Sequence, residues 1–321
     1  MATVEETLQV VVRKRRLQGN DVVVLDLAAA HAAQQLPRFE AGAHIDVHLA
    51  CGLVRQYSLC GDPAVPDHYR LGVLRDPQSR GGSQAVFDGL HEGSLLQVSR
   101  PRNHFPLDAQ ARHTILVGGG IGITPMIAMA YALHAAGRSF ELHYRARGRD
   151  ACAFTEELAC SPFAERVQYH FSDAGGRLDI AAQVAANGLV GTHLYVCGPV
   201  GFMEGVLEAA QQAGLPRTQL HREYFNADVD TSGGSFDVVA AASGRAVRVA
   251  EGQSIVSALA SIGIKIEVSC EEGVCGTCVC TVLEGDCDHR DVYLTDEEKA
   301  DNDQIMACCS RAKSSSLVLD L

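Results

Sequence analysis

The chain has 321 residues, 12 of them cysteine, and a formal charge of −12 from 39 Asp and Glu against 27 Lys and Arg. That length allows two or three domains with cores of their own. The acidic balance argues against nucleic acid as a partner, because phosphate binding needs a basic stripe, but leaves room for an acidic face that meets a basic protein.

The first twenty residues mix Glu, Lys and Arg with the alternating run "LQVVVRKRRLQ" and lack the continuous apolar segment of a secretion signal. No run approaches the 18 apolar residues that a membrane span needs, so no membrane association is expected. A cytoplasmic location follows as the expectation. There, clustered thiols serve as metal ligands or redox groups rather than disulfide halves.

From residue 1 to 107 the short runs "LQVVVRK", "DVVVLDLA", "HIDVHLA", "VRQYSL", "YRLGVLRD" and "SLLQVSR" predict an antiparallel β-barrel. Within it, "RQYSL" resembles the R-x-Y-S flavin motif of the ferredoxin reductase superfamily, and its residues would suit an isoalloxazine ring. Tyr57 offers a flat wall, Ser58 a small hydroxyl near the reactive nitrogen, and Arg55 a cation for a phosphate. Further on, Gly81, Gly82 and Ser83 precede a short helical stretch, and amide groups at a glycine turn before a helix bind anions.

From 108 to 227 the pattern changes to a doubly wound parallel α/β sheet. "HTILVGGGIGITPMIAMAYALHAAG" is strand, glycine turn and helix, and "SFELHYRA", "RVQYHFSD" and "THLYVCG" follow as buried-type strands. Gly120 and Gly122 would let a pyrophosphate approach the helix start, with Thr124 as cap and Pro125 in the first turn. For the adenosine ribose, Arg145 and Arg147 could clamp a 2′-phosphate, whereas Asp173 could accept from a free 2′-hydroxyl.

"NADVDTSGGS" has the small, polar, glycine-rich composition of a linker, placed at 228–235. Residues 236–321 read as a third domain with strands "FDVVAAAS" and "AVRVAE", a helix at "SIVSALASIG", a cysteine loop and a last strand "SLVLDL". Cys270, Cys275 and Cys278 form C-x4-C-x2-C, and Cys308 or Cys309 follows after about thirty residues, the plant-type spacing for a [2Fe–2S] cluster. Gly273 and Gly276 would let the loop fold around inorganic sulfide. A structural zinc site is the alternative, but it usually pairs two short knuckles. Cys280 and Cys287 lie nearby.

With these segments in this order, the chain resembles the phthalate dioxygenase reductase family over essentially its whole length, most closely in the ending "DHRDVYLTDEEKADNDQIMACCSRAKSSSLVLDL". The resemblance implies a C-terminal plant-type ferredoxin (β-grasp) domain behind the flavin barrel and the nucleotide domain. Its ligand pattern, a cysteine, one variable residue and then Ser-Arg, selects Cys308 over Cys309. It implies FMN rather than FAD, with Leu74 and Arg75 also at the flavin, and NADH rather than NADPH. It places Thr124 near both flavin and nicotinamide, puts Cys197, Gly198 and Pro199 in the nicotinamide pocket, and makes Phe225 and Glu223 candidates for the flavin face. Ser58, Thr124 and Cys197 would then surround the hydride transfer. The implied activity is that of an NADH-dependent reductase passing electrons through FMN and [2Fe–2S] to a Rieske-type oxygenase in aromatic dioxygenation or O-demethylation. A stand-alone NAD(P)H reductase for another acceptor and a flavin/iron–sulfur redox sensor are the competing expectations.

Overall fold

The computed structural model describes residues 7–31, 35–50, 52–65, 67–77, 81–225, 230–268 and 270–321. The chain divides into two compact units, Met1–Glu223 and Tyr224–Leu321.

The first unit holds two sheets. Strands β1 (Leu8–Gln18), β2 (Val22–Ala29), β3 (Ala43–His48), β4 (Val54–Ser58), β5 (Tyr69–Leu74) and β6 (Leu95–Val98) lie in the order β4-β3-β6-β1-β2-β5, and β7 (Arg102–Asn103) pairs with β3. All these pairings are antiparallel. A bridge from Leu59, just past β4, to Leu71 in β5 draws the outer strands together, as barrel closure requires. Val10 and Val12 of β1 alternate inward, whereas Val22 to Leu27 of β2 are buried without a break. Asp26 in that run is tolerated because Arg70 and Arg16 reach it at 2.7 and 3.0 Å. One short helix, α1 (Gly82–Gly89), follows β5.

The second sheet is parallel, in the order β10-β9-β8-β11-β12: β8 (His113–Gly119), β9 (Ser139–Ala146), β10 (Val167–Phe171), β11 (Thr192–Cys197) and β12 (Leu220–Glu223). Helices α2 (Ile123–Ala135), α3 (Thr155–Ala159), α4 (Ile180–Asn187) and α5 (Val200–Gln212) alternate with the strands. β8 and β11 are buried along most of their length, which suits strands covered on both faces. Thr124 does not cap α2 as expected. A 3-10 turn, Gly120–Gly122, leads into the helix, and the Thr124 hydroxyl donates to the Ile121 carbonyl at 2.9 Å. The polar run "LHRE" forms β12, which composition alone does not mark as a strand.

Phe154, immediately before α3, has φ +60° and is 1% exposed. For a bulky side chain that conformation costs on the order of 1–3 kcal/mol, so the surroundings must impose it.

The second unit has a mixed sheet in the order β14-β13-β19-β15-β17, with β13 (Phe236–Ala240), β14 (Arg245–Val249), β15 (Val279–Glu284), β17 (Gln304–Met306) and β19 (Ser316–Leu319). β13 and β19 run parallel, and the other pairs are antiparallel. Helix α6 (Ile255–Ser261), capped by the Ser254 side chain, sets Ile255, Ala258 and Leu259 into a core with Phe236, Val238 and Leu317. A two-stranded ladder of β16 (Cys287–Asp288) with β18 (Arg311–Ala312) and the acidic helix α7 (Asp296–Asp301), opened by a Thr295–Glu298 capping box, complete the unit. This is a β-grasp arrangement, a sheet folded over one helix. β15, immediately after the cysteine loop, is a strand that the sequence pattern does not predict. No helix among the described residues is long and apolar enough to cross a membrane.

Candidate functional site

The residues proposed for flavin gather on β4 and the start of α1. Gly81 takes φ +82°, a turn that favours glycine. A Cβ on Gly82 would lie 2.6 Å from Cγ and Nε of Arg55, so the bare glycine lets the arginine lie across the helix start. Ser83 is buried, and its hydroxyl accepts from the Asp76 amide at 3.1 Å. A cation beside glycine amides is a cradle suited to a phosphate. Burial pushes the Tyr57 phenol up in pKa against the opposing pull of Arg55, so its ring stays neutral. Leu74 is 40% exposed at the end of β5. Arg75 is drawn onto α1, donating to Gln84 Oε1 at 3.1 Å with its guanidinium 5.7 Å from the Phe87 ring centre.

The glycine turn after β8 lies beside the end of β11. Cys197 pairs in register with Gly118, and a Cβ on Gly122 would collide with the Cys197 carbonyl. A Cβ on Gly119 would sit 2.6 Å from the Phe202 ring. Gly120, at φ +57°, has open space where its Cβ would be. Gly198 follows with φ +153°, and Pro199 precedes α5. Such a crevice at the carboxyl ends of parallel strands admits a dinucleotide.

The two regions meet at a carboxylate. Ser58, at the end of β4, donates to Oε2 of Glu223 at 3.2 Å, and Glu223 pairs in register with Cys197 on the neighbouring strand. Burial lifts the Glu223 carboxyl to about 8, opposed by the Ser58 hydrogen bond. It therefore holds its proton at neutral pH. Cys197 is fully buried, and burial first, with the Glu223 carboxylate second, raises its thiol well above the ordinary range. The resemblance makes Glu223 only a candidate for the flavin face; the fold shows its position against Ser58. Phe225 is half-buried and belongs to the second unit.

Near the end of β9, Arg145 rests on the Phe202 ring of α5 at 5.5 Å, and Arg149 rests on the Phe171 ring at the end of the edge strand β10 at 5.6 Å. Asp173 lies over Gly148, where any Cβ would collide with its carboxylate. The end of the sheet here thus carries an acid held close to bare backbone.

In the second unit, Cys270 lies within hydrogen-bonding reach of Cys275 and Cys308, and Cys278 within reach of Cys308. The four thiols form a chain of contacts, Cys275–Cys270–Cys308–Cys278, and all are buried. Hydrogen bonds from Cys275 and Cys308 pull the Cys270 thiol down in pKa, and one from Cys308 pulls Cys278 down. Among the described residues no group of three or more His, Cys, Asp and Glu side chains closes on a single ion. The chain of contacts divides into adjacent pairs in one way, Cys270 with Cys275 and Cys278 with Cys308. Two irons sharing sulfide ask for two thiolates apiece, so the donor set fits a [2Fe–2S] cluster.

Around this loop Gly273 and Gly276 take φ +72° and +78°. A Cβ on Gly273 would lie 2.5 Å from the Cys309 sulfur, and one on Gly276 would collide with the Tyr293 ring. Cys309 is thus packed beneath the loop, with its sulfur 3.8 Å from the Met306 carbonyl and 3.8 Å from the Ser310 hydroxyl. Cys280 and Cys287 belong to the hydrophobic core, where burial raises their thiols to about 12 and about 11.

A closed antiparallel barrel, a parallel nucleotide-type sheet and a grasp domain with four converging thiols define a class, the iron–sulfur oxidoreductases fed by pyridine nucleotide. Residues 239–313 match the family model of the 2Fe-2S iron-sulfur cluster binding domain. The chain is 48% identical over 318 residues to a vanillate O-demethylase oxidoreductase of Pseudomonas sp. (strain HR199 / DSM 7063), covering 98% of this chain and 100% of the relative. It resembles the solved phthalate dioxygenase reductase, described as a modular structure for electron transfer from pyridine nucleotides to [2Fe-2S], with TM-score 0.77, 37% identity and 98% of each chain covered. An intact type IV self-sufficient cytochrome P450 monooxygenase matches with TM-score 0.85 and 38% identity, over 100% of this chain and 42% of that one. The chain belongs to the phthalate dioxygenase reductase family, the reductase components of oxygenase systems.

Proposed function

We propose that this chain is a cytoplasmic reductase that takes a hydride from NADH onto FMN and passes electrons singly through a [2Fe–2S] cluster to a Rieske-type oxygenase acting on an aromatic compound. The observation that carries the reading is the division of the four thiols into two adjacent pairs. When bound, the flavin accepts an electron pair and the cluster relays electrons one at a time.

The rest falls to the chain's own residues. Arg55, Gly82 and Ser83 hold the flavin phosphate, Tyr57 walls the ring, and Leu74 and Arg75 border it. Gly120 and Gly122 admit the pyrophosphate to the start of α2. Asp173 accepts from the ribose 2′-hydroxyl and repels a 2′-phosphate, which favours NADH. Glu223, protonated at neutral pH, accepts the Ser58 hydroxyl at Oε2 while keeping its own proton, and so spares the hydride path a negative charge. Cys197 stays a neutral thiol beside it, and Thr124, Gly198 and Pro199 complete the nicotinamide wall. Cys270 and Cys275 would hold one iron, Cys278 and Cys308 the other.

We assign three domains, 1–107, 108–227 and 236–321, joined by a linker at 228–235, of which 228 and 229 lie outside the described residues. The antiparallel barrel sheet, the parallel sheet and the mixed sheet each fall within one of these segments, which supports the division, and the compact units part nearby at Glu223–Tyr224. A short tether keeps the cluster domain at an effective concentration on the order of millimolar.

The match to a self-sufficient P450 favours a second reading, a haem oxygenase as acceptor. Coupled turnover separates them. NADH oxidation should be accompanied by product only with a Rieske oxygenase from the same host. Coupling to a P450 alone, or rapid turnover with dyes and no coupling to either oxygenase, would overturn the assigned partner.

A further inference from the structure

The strained Phe154 has neighbours that account for it. A Cβ added to Gly72 of β5 would come 2.7 Å from the Phe154 ring and 2.9 Å from the Thr124 methyl. The ring therefore lies against bare barrel backbone with the nucleotide-side threonine next to it. The Phe154 amide donates to Oε1 of Gln18, the last residue of β1, at 2.6 Å. Its carbonyl accepts from the Leu158 amide at 2.9 Å and so starts α3. One turn on, Glu157 returns to the same barrel strand and meets Arg70 at 3.0 Å. Arg70 and Gly72 share a face of β5, being two residues apart, and Phe154 and Glu157 are three apart at the helix start. Asp26 holds Arg70 from behind at 2.7 Å. Two side chains of one segment thus grip two positions of one strand.

We propose that Phe154 is a positioning residue, a wedge that seats beside Thr124 of α2 on the bare backbone of Gly72 in the barrel and so fixes the spacing of barrel and nucleotide sheet, and hence the distance the hydride crosses. The proposal rests on the functional reading above, in which flavin binds the barrel and nicotinamide lies at Thr124. Transfer between bound partners is steep in distance, and a misplacement of about 1 Å costs on the order of 100-fold in rate. A stiff buried ring on glycine backbone sets such a spacing more firmly than a flexible side chain can.

The test compares Gly72→Ala, Phe154→Leu and the double variant in the full chain. It follows the limiting rate of flavin reduction at saturating NADH, the NADH concentration for half-saturation, and amide exchange over residues 152–158 in flavin-stripped protein. Gly72→Ala should lower the limiting rate by about 10- to 100-fold and leave half-saturation within about 2-fold, because nicotinamide still binds but sits wrongly. Exchange over 152–158 should rise, since the Gln18 contact loosens. The double variant should recover part of the rate, because leucine lacks the ring atoms that the added methyl would meet, although the Thr124 methyl still crowds it. Additive losses in the double variant, or an unchanged limiting rate in Gly72→Ala, would overturn the wedge. If Gly72→Ala does not fold, Gln18→Ala carries the same test: faster exchange with a lower limiting rate supports the proposal, and an unchanged rate refutes it. A wild-type chain that NADH cannot reduce would instead overturn the functional reading and the wedge with it.

Discussion

In the second unit, three of the four converging thiols come from one loop, Cys270 to Cys278, and the fourth from the turn after β17. In the first unit the groups that meet are far apart in the chain: Ser58 and Glu223 are separated by 165 positions, and Phe154 reaches both Gly72 and Thr124. The difference follows from chemistry. Iron and sulfide need a compact set of identical soft ligands, which one glycine-bearing loop supplies. A hydride site must align two large cofactors, so its parts come from the rims of two separate sheets. The cluster site should therefore fail through single ligands, whereas the hydride site should fail through geometry and protonation.

The largest effect expected of a single change is at Cys275. With Cys275→Ser one iron loses a thiolate, and electron delivery to an oxygenase or cytochrome acceptor should fall by about 100-fold or more, while NADH reduction of the flavin stays within about 2-fold. Parallel loss of both rates would break the separation between the two regions.

An intermediate effect is expected at Glu223. Its carboxyl titrates at about 8 in the folded protein against an ordinary 4.5. The folded chain thus keeps a proton that the unfolded chain releases. This contribution to stability is full below about pH 4.5 and is lost as pH rises through about 8. Melting temperature should fall with pH across that window in the wild type, and less steeply in Glu223→Gln. The limiting rate of flavin reduction should also decline above about pH 8 in the wild type and stay flat in the variant, because glutamine cannot ionise. Identical pH profiles would remove Glu223 from the proposed hydride site.

The smallest effect sharpens the ligand assignment. Cys309→Ser should leave iron content and delivery within about 2-fold, with a modest loss of stability for a buried sulfur. A loss as large as that of Cys275→Ser would make Cys309, not Cys308, the fourth ligand.

How much of this is legible in the sequence follows the same division. The cysteine spacing and the alternating or continuous apolar runs of β1, β2, β8, β9, β11 and β19 are local patterns, and they mark the sheets directly. β12 is polar and short, and β15 follows straight on from the ligand loop, so neither shows a period of its own. The Ser58–Glu223 contact and the left-handed Phe154 depend on tertiary packing that "HREYF" and "ACAFTEEL" do not announce. Thr124 resembles a helix cap because its residue type suits one; the preceding 3-10 turn satisfies its hydroxyl locally instead.

The most direct test of the whole account is to measure iron and acid-labile sulfide in the freshly purified chain and then add NADH without oxygen while recording the visible spectrum. The account predicts about two irons and two sulfides per chain with bound FMN, and bleaching of both the flavin and the cluster bands. A colourless protein holding zinc, or one whose flavin is reduced while a chemically intact cluster stays oxidised, would contradict it.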